Sequence, residues 1–362
     1  MMSDELNLRE VKAADLGGGS CPLPLVHSET VLLGHGSGGK RTWELLEGII
    51  VRELGEESLA PMHDGALLDA PPGGRLAMTT DSYVVHPRFF PGGDIGSLAV
   101  HGTVNDLAMC GASPRWISVA LILEEGLQIG ELIRVLRSIR RAADEAGIRV
   151  VTGDTKVVER GKGDGIFINT TGVGVVREGI AIDPRRARPG DHILLSGEIA
   201  AHGMAIMAVR DRLEFEPEIR SDSASLWGLT EVILEACPDT RVLRDPTRGG
   251  IASALNEIAR QAGVGILIEE VAIPVGESVR GACEILGLDP FYVANEGKLL
   301  AIVPAEYTSH ILDAMRSHPL GTEAAVIGEV VEAHPGIVNL KTRVGGRRVV
   351  DLLSGEQLPR IC

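Results

Sequence analysis

Residues 79–114 read TTDSYVVHPRFFPGGDIGSLAVHGTVNDLAMCGASP. Asp94 follows two glycines and precedes Ile95, which predicts an N-cap and a helix beginning there. From Ile95, the residues Leu98, Ala99, Gly102 and Met109 recur at helical spacing, and Asn105 and Asp106 fall on the same stripe. A carboxylate on the buried face of a helix costs free energy unless an ion or hydrogen bonds compensate it. The simpler alternative ends the helix before Asn105 and turns Asp106 to water. Asp81 closes the apolar run Leu76-Ala77-Met78, and Asp154 recurs after residues 148–151 in a similar setting, so the functional reading is carried forward. Spacing alone leaves three unrelated strand-end or helix-end aspartates as the plainer account.

Working outward, residues 31–33 lead into GHGSGGK, residues 34–40, and then into a helical pattern through Trp43, Leu46, Ile49 and Ile50. The glycines match the first part of a phosphate-binding loop, but Arg41 stands where Ser or Thr would meet magnesium. A glycine segment closing over a phosphate near Lys40, or a plain surface loop, remains. His63-Asp64-Gly65 adds one more candidate carboxylate in what reads as an ordinary turn. Residues 117–123 and 167–176 have strand character. Residues 129–146 form an amphipathic helix stopped at Gly147, and residues 148–151 form a short strand opening into Gly153-Asp154-Thr155-Lys156. Strand and helix alternating in this way predict an α/β or α+β domain. A Pro189-Gly190 turn before the apolar run 193–195 marks a boundary. The organisation expected is an arm over 1–29, a first domain over 30–188, a second α+β domain over 189–345, and a mobile tail over 346–362.

The chain has 362 residues and a net charge of −15, which argues against non-specific binding to nucleic acid. No apolar run approaches the length of a membrane span, and the N-terminus lacks the apolar core of a signal peptide. Five cysteines without a CxxC pair fit a reducing cytoplasm better than a disulfide framework. Cys362 is the unusual one. A thiol on a flexible terminal segment is a usable covalent carrier, although an incidental cysteine explains it as simply. Lys156 reads as a phosphate or acid–base group, or as a solvated lysine. Glu296, before Gly297-Lys298, reads as an acid between two strand-like runs, or as a turn residue. Arg248, before Gly249-Gly250, could meet a phosphate at a helix start.

Together the segments GHGSGG (34–39), TTDSYVV (79–85), FFPGGDIG (89–96), GTVNDLAM (102–109), GDTKVV (153–158), DPTRGG (245–250), ANEGKL (294–299) and PRIC (359–362) resemble the HypE family. These are the carbamoyl dehydratases of nickel–iron hydrogenase maturation, and the resemblance covers about residues 30–362. It implies the two-domain fold of aminoimidazole ribonucleotide synthetase (PurM-like) and selenophosphate synthetase, with the first domain forming a homodimer through its sheet. It implies that a carbamoyltransferase, HypF, loads a carboxamide onto the terminal cysteine. ATP then drives its dehydration to a thiocyanate, and the cyanide passes to an iron-bearing HypC–HypD scaffold. By motif match Asp81, Asn105, Asp106, Gly153, Asp154 and Lys40 would bind the nucleotide, with Asp64, Asp81, Asp106 and Asp154 holding Mg2+. Cys362, Lys156 and Glu296 would be catalytic, the last two taking protons from the carboxamide nitrogen. Burial raising the pKa of Glu296 would suit it to that task. Two rivals stand beside this reading. A small-molecule kinase or synthetase of the same superfamily would need no carrier thiol. A non-catalytic metal chaperone would need ligand-spaced histidines, which the ten present do not form.

Overall fold

The structure is a computed structural model that describes residues 28–55, 59, 65–69, 71, 73–352, 358 and 360–362. Most of the expected arm, and Asp64 with it, lie outside the described residues.

The first sheet has four strands in the order β1 (Arg75–Tyr83), β6 (Ile166–Val176), β4 (Ala112–Glu124) and β5 (Arg149–Val158). A two-residue ribbon, β2 (Phe89–Phe90) and β3 (Gly93–Asp94), leads into helix α2 (Ile95–Met109), and α1 (Lys40–Leu45) lies earlier in the chain. The expected cap is present: Asp94 accepts the backbone N–H of Gly96 and Ser97. Nearly every side chain of α2 is buried, which explains an apolar composition all round the helix instead of one stripe. Helix α3 (Ile129–Ala146) supplies the crossover that parallel pairing of β4 with β5 demands, and it ends on Gly147 in the left-handed region.

Alternation along these strands divides the sheet into two faces. Ile117, Val119 and Leu121 of β4, with Ile166, Ile168 and Thr170 of β6, are buried on the side of α2. On the other face Leu76, Met78 and Ile122 are 66%, 74% and 42% exposed, and no described residue covers them.

The second sheet has seven strands in the order β13 (Arg347–Val350), β12 (Val338–Lys341), β9 (Gly265–Glu269), β11 (Ala325–Val331), β7 (His192–Leu195), β10 (Leu300–Val303) and β8 (Val242–Arg244). Helices α4 (Ala201–Asp211), α5 (Trp227–Ala236), α6 (Gly250–Ala262), α7 (Glu277–Leu286) and α8 (Thr308–Ser317) accompany it. Its own core packs around Ile193, Leu255, Ile266 and Ile302. A further apolar cluster joins Ala108 and Met109 of α2 to Leu194, Leu226 and Leu229, so the two domains share buried surface.

Two sequence expectations change. Residues 153–156 do not leave the sheet after a short strand; they continue β5, because Val119–Ile122 of β4 pair with them. The segment after Gly345 is not uniformly loose, since Arg347–Val350 pair with Val338–Lys341. At the chain's end, Ile361 is buried in the first domain's core and Cys362 packs against it.

Candidate active site

A cleft between the two domains gathers acids from four segments. Asp81 stands on β1, Asp106 on α2, Asp245 directly after β8, and Glu296 before β10. Thr79 Oγ1 donates to Asp106 at 2.7 Å, and the backbone N–H of Ser82 donates to Asp81 at 2.7 Å. Glu296 and Asp245 are buried, at 3% and 9% exposure. Burial pushes the Glu296 carboxyl well above its ordinary range, and the charges of Asp245, Asp222, Asp81 and Asp106 push further the same way. Asp245 is lifted to about 7, first by burial and then by Asp106. Burial likewise raises Asp106. Clustered carboxylates hold protons, or await a cation, because they cannot all ionise together at low cost.

Asn105 has a different task from the one its motif implies. Its amide donates to the carbonyl oxygens of Ala224 (3.0 Å) and Glu296 (3.2 Å), and its oxygen accepts from Leu226 N–H at 2.8 Å. Both amide hydrogens are thereby used on the protein, so Asn105 positions the loops of the second domain and has no donor left for a nucleotide.

Cys362 enters this cleft. Arg248 Nε donates to its Sγ at 3.1 Å. Burial and the nearby Glu296 push the thiol up to about 11, against the pull of Arg248. Backbone bonds seat the segment: Val84 N–H donates to the Cys362 oxygen (3.3 Å) and His86 N–H to the Arg360 oxygen (3.1 Å). Arg210 donates to the Arg360 oxygen at 3.0 Å.

Asp154, Lys156 and Lys40 lie elsewhere. The register places Asp81, Thr170, Val119 and Gly153 side by side across the sheet, so Gly153 shares the face of Asp81 but lies about 14 Å away on the opposite edge. Asp154, one residue on, points off the open face, because a single step along a strand reverses direction. Its neighbour in the register there is Ala120, and that of Lys156 is Ile122. Lys156 Nζ pairs with Asp154 at 2.8 Å, and both side chains are exposed, at 66% and 61%. That bond holds Asp154 below the usual carboxylate range. The glycine loop packs on the same strand: a Cβ on Gly36 would lie 2.9 Å from that of Val157. A 3-10 turn, Leu33–Gly36, precedes α1 where a phosphate loop would follow a strand. Lys40 at the start of α1 is 86% exposed and lies 3.9 Å from Glu44. Of the aspartates expected to share a metal, Asp81 and Asp106 line the cleft and Asp154 stands on the other face of the sheet, so these three do not converge within one chain; Asp64 lies outside the described residues. Among the described residues no group of three or more His, Cys, Asp or Glu is arranged to hold an ion.

Comparison with known proteins matches residues 62–176 and 188–341 to the N-terminal and C-terminal domains of the AIR synthase related family. Carbamoyl dehydratase HypE of Azotobacter vinelandii is 58% identical over 328 residues, covering 91% of this chain and 96% of that protein. The Cupriavidus necator protein of the same name is 56% identical over 337 residues, 93% of this chain and 96% of its own. The chain belongs to the HypE family of carbamoyl dehydratases. A crystal structure of HypE in complex with ATP superposes with a TM-score of 0.88 at 50% identity, over 91% of this chain and 99% of that one. HypE in its complex with HypF gives 0.75 at 46% identity, over 85% and 99%. A thiamine-monophosphate kinase structure from Stenotrophomonas maltophilia at 21% identity shares the fold, with a TM-score of 0.61 over 82% of this chain and 95% of its own. The two-domain fold implied by the sequence is thus the HypE one.

Sequence reasoning did not assign Asp245, although it lies inside the quoted DPTRGG motif; an acid between a strand and helix-opening glycines was the available signal. It gave no role to Asp222, which accepts Glu296 N–H at 3.1 Å, or to His202. Nothing local marks either residue.

Proposed function

We propose that this HypE-family chain carries a carboxamide on Cys362 and dehydrates it to a thiocyanate with ATP. The observation that carries this reading is the seating of the Cys362 thiol beside Arg248 and the buried acid Glu296, in the cleft that Asp81, Asp106 and Asp245 line. An amide oxygen leaves poorly, so it must first be activated. The carboxamide oxygen takes the γ-phosphoryl group of ATP, ADP departs, and one N–H proton leaves the nitrogen. Loss of the second N–H proton with expulsion of phosphate then gives the S–C≡N group. Glu296 would take these protons in its ionised form, which burial and the neighbouring acids make a strong base.

Asp81, Asp106 and Asp245 suit a magnesium ion bound through oxygen, because burial and mutual repulsion raise Asp106 and Asp245 and a cation relieves both. Magnesium commonly takes only one or two carboxylates and completes its shell with phosphates and water, so a ready-made cage is not required. When bound it would neutralise the triphosphate during in-line transfer.

The open sheet face with Leu76, Met78 and Ile122 is the proposed homodimer interface. Asp154 and Lys156 stand on that same face, so in a dimer they lie at the interface and away from their own chain's cleft. A monomer by light scattering at micromolar concentration would overturn the dimer. HypF as carbamoyl donor is supported by the relative's HypE–HypF complex; the HypC–HypD scaffold as cyanide acceptor, and a cytoplasmic setting, complete the reading. No described helix is long and apolar enough to cross a membrane. Intact mass of the C-terminal peptide tests the central claim. Incubated with ATP and the carbamoyl donor system, the carbamoylated peptide should become lighter by one water only when ATP is present; a peptide that gains the carbamoyl group and never loses water refutes it.

A further inference from the structure

His202 lies on α4, fully buried, and bridges two segments that are distant in the chain. Its Nε2 is 2.7 Å from the carbonyl oxygen of Ile361, and its Nδ1 is 2.8 Å from Ser221 Oγ. A carbonyl oxygen only accepts, so Nε2 carries the hydrogen and Nδ1 accepts the Ser221 hydroxyl. The ring also meets Phe90 edge-on, with centroids 5.6 Å apart, which fixes its orientation.

Ser221 begins a strap, residues 221–224, pressed against Glu296 and Gly297. Asp222 Oδ1 accepts Glu296 N–H at 3.1 Å, and its other oxygen lies 3.6 Å from Lys298 Nζ. A Cβ on Gly297 would stand 1.8 Å from the Asp222 carbonyl oxygen, so the strap and residues 296–297 have no slack between them. Ser221 is pinned at its other side, its N–H donating to Pro91 O at 2.8 Å, and its Oγ accepts Ser223 N–H at 3.1 Å. A short path therefore runs from the carbonyl of residue 361 by hydrogen bonds to His202 and Ser221, along the chain to Asp222, and by a hydrogen bond to the backbone of Glu296.

We propose that His202 is a positioning residue that ties the seating of the Cys362 segment to the placement of Glu296, through Ser221 and Asp222. This rests on the reading that Cys362 carries the reacting group. A seated segment holds the ring from one side while Ser221 holds it from the other; an unseated one leaves the ring tied to Ser221 alone, so the strap behind Glu296 loses its link to residue 361. ATP would then not be consumed on an empty cleft.

Two substitutions separate the two bonds, because the amide nitrogen of glutamine falls near Nε2 and the amide oxygen of asparagine falls near Nδ1. His202→Asn keeps the Ser221 bond and loses the one to Ile361, whereas His202→Gln does the reverse. Ser221→Ala removes the strap bond without touching the histidine. Timed iodoacetamide labelling of Cys362, read on the intact C-terminal peptide, reports seating. Hydrogen exchange of the peptide spanning residues 293–299 reports the placement of Glu296. His202→Asn should label at least ten times faster than wild type and exchange faster at residues 293–299. His202→Gln and Ser221→Ala should keep wild-type labelling within twofold, exchange about tenfold faster at residues 293–299, and lose about tenfold in dehydration kcat with KM for ATP within twofold. Unchanged labelling in His202→Asn overturns the latch. Wild-type exchange in both His202→Gln and Ser221→Ala overturns the link to Glu296. If wild type shows no dehydration, the carrier reading fails, while labelling and exchange still decide the role of His202.

Discussion

The cleft and the open sheet face both carry acids singled out by the same motif logic, yet water treats them differently. Asp106, Asp245 and Glu296 are buried and pushed upward, whereas Asp154 is exposed and held low by Lys156. Buried acids that repel one another are poised for a cation or a proton. An exposed ion pair is already satisfied and contributes little to stability. The difference separates residues that can act within one chain from residues that act only if something else covers them.

The sharpest break comes at the thiol. Cys362→Ala should accept no carbamoyl group while still binding ATP; a mass shift of the carbamoyl group on that variant's terminal peptide would remove Cys362 from the chemistry. The two aspartates come next. Asp106→Asn should slow magnesium-dependent ATP hydrolysis at least ~100-fold with folding intact, the scale of removing one preorganised charged group from such a site. Asp154→Asn should also slow it, but by way of the partner's cleft. Mixing the two inactive variants in equal amounts should then restore about a quarter of wild-type activity, since half of the dimers are mixed and each has one complete site. No recovery would place Asp154 in its own cleft, against the register seen here.

Asp245 yields a pH test. Its carboxyl titrates at about 7 when folded and at 3.8 in its ordinary state. Between these values the folded state binds a proton that the unfolded state does not. The contribution of Asp245 to stability is therefore most favourable below about 4, falls as pH rises to 7, and stays reduced above. Asp245→Asn removes this cost, on the order of 4 kcal/mol at pH 8. The variant should melt several degrees higher than wild type at pH 8 in EDTA and nearly equal to it at pH 4. Equal melting at both would mean that Asp245 is not strained by its neighbours. The smallest effect belongs to the exposed pair: Asp154→Asn should change unfolding free energy by less than about 0.5 kcal/mol in chemical denaturation.

The N-cap at Asp94, the helix after it, the long amphipathic α3 and the acid at 296 were legible because each depends on residues within a few positions. Register was not legible. Asp154 has the same local signature as Asp81, and only its pairing with Ala120 shows that it points away. Asn105 was found as an unusual polar group on a buried stripe, but its partners at 224, 226 and 296 lie in the other domain and carry no local mark. His202 and Asp222 were invisible for the same reason. The second domain's α4 and α7, with β13 in the supposed tail, show that amphipathic signals near chain ends and between glycines are weak without their packing partners.

The three bonds of Asn105 span 119, 121 and 191 positions of sequence. Contacts so far apart in the chain form slowly, since long loops must close before any of them repays the lost freedom. Until the second domain closes over them, Asp81 and Asp106 would face water, where both can remain charged. Only when residue 296 arrives and Asn105 draws the second domain over them does their repulsion become costly. The acid and the aspartates that strain it are thus brought together by the same long-range contacts that join the two domains.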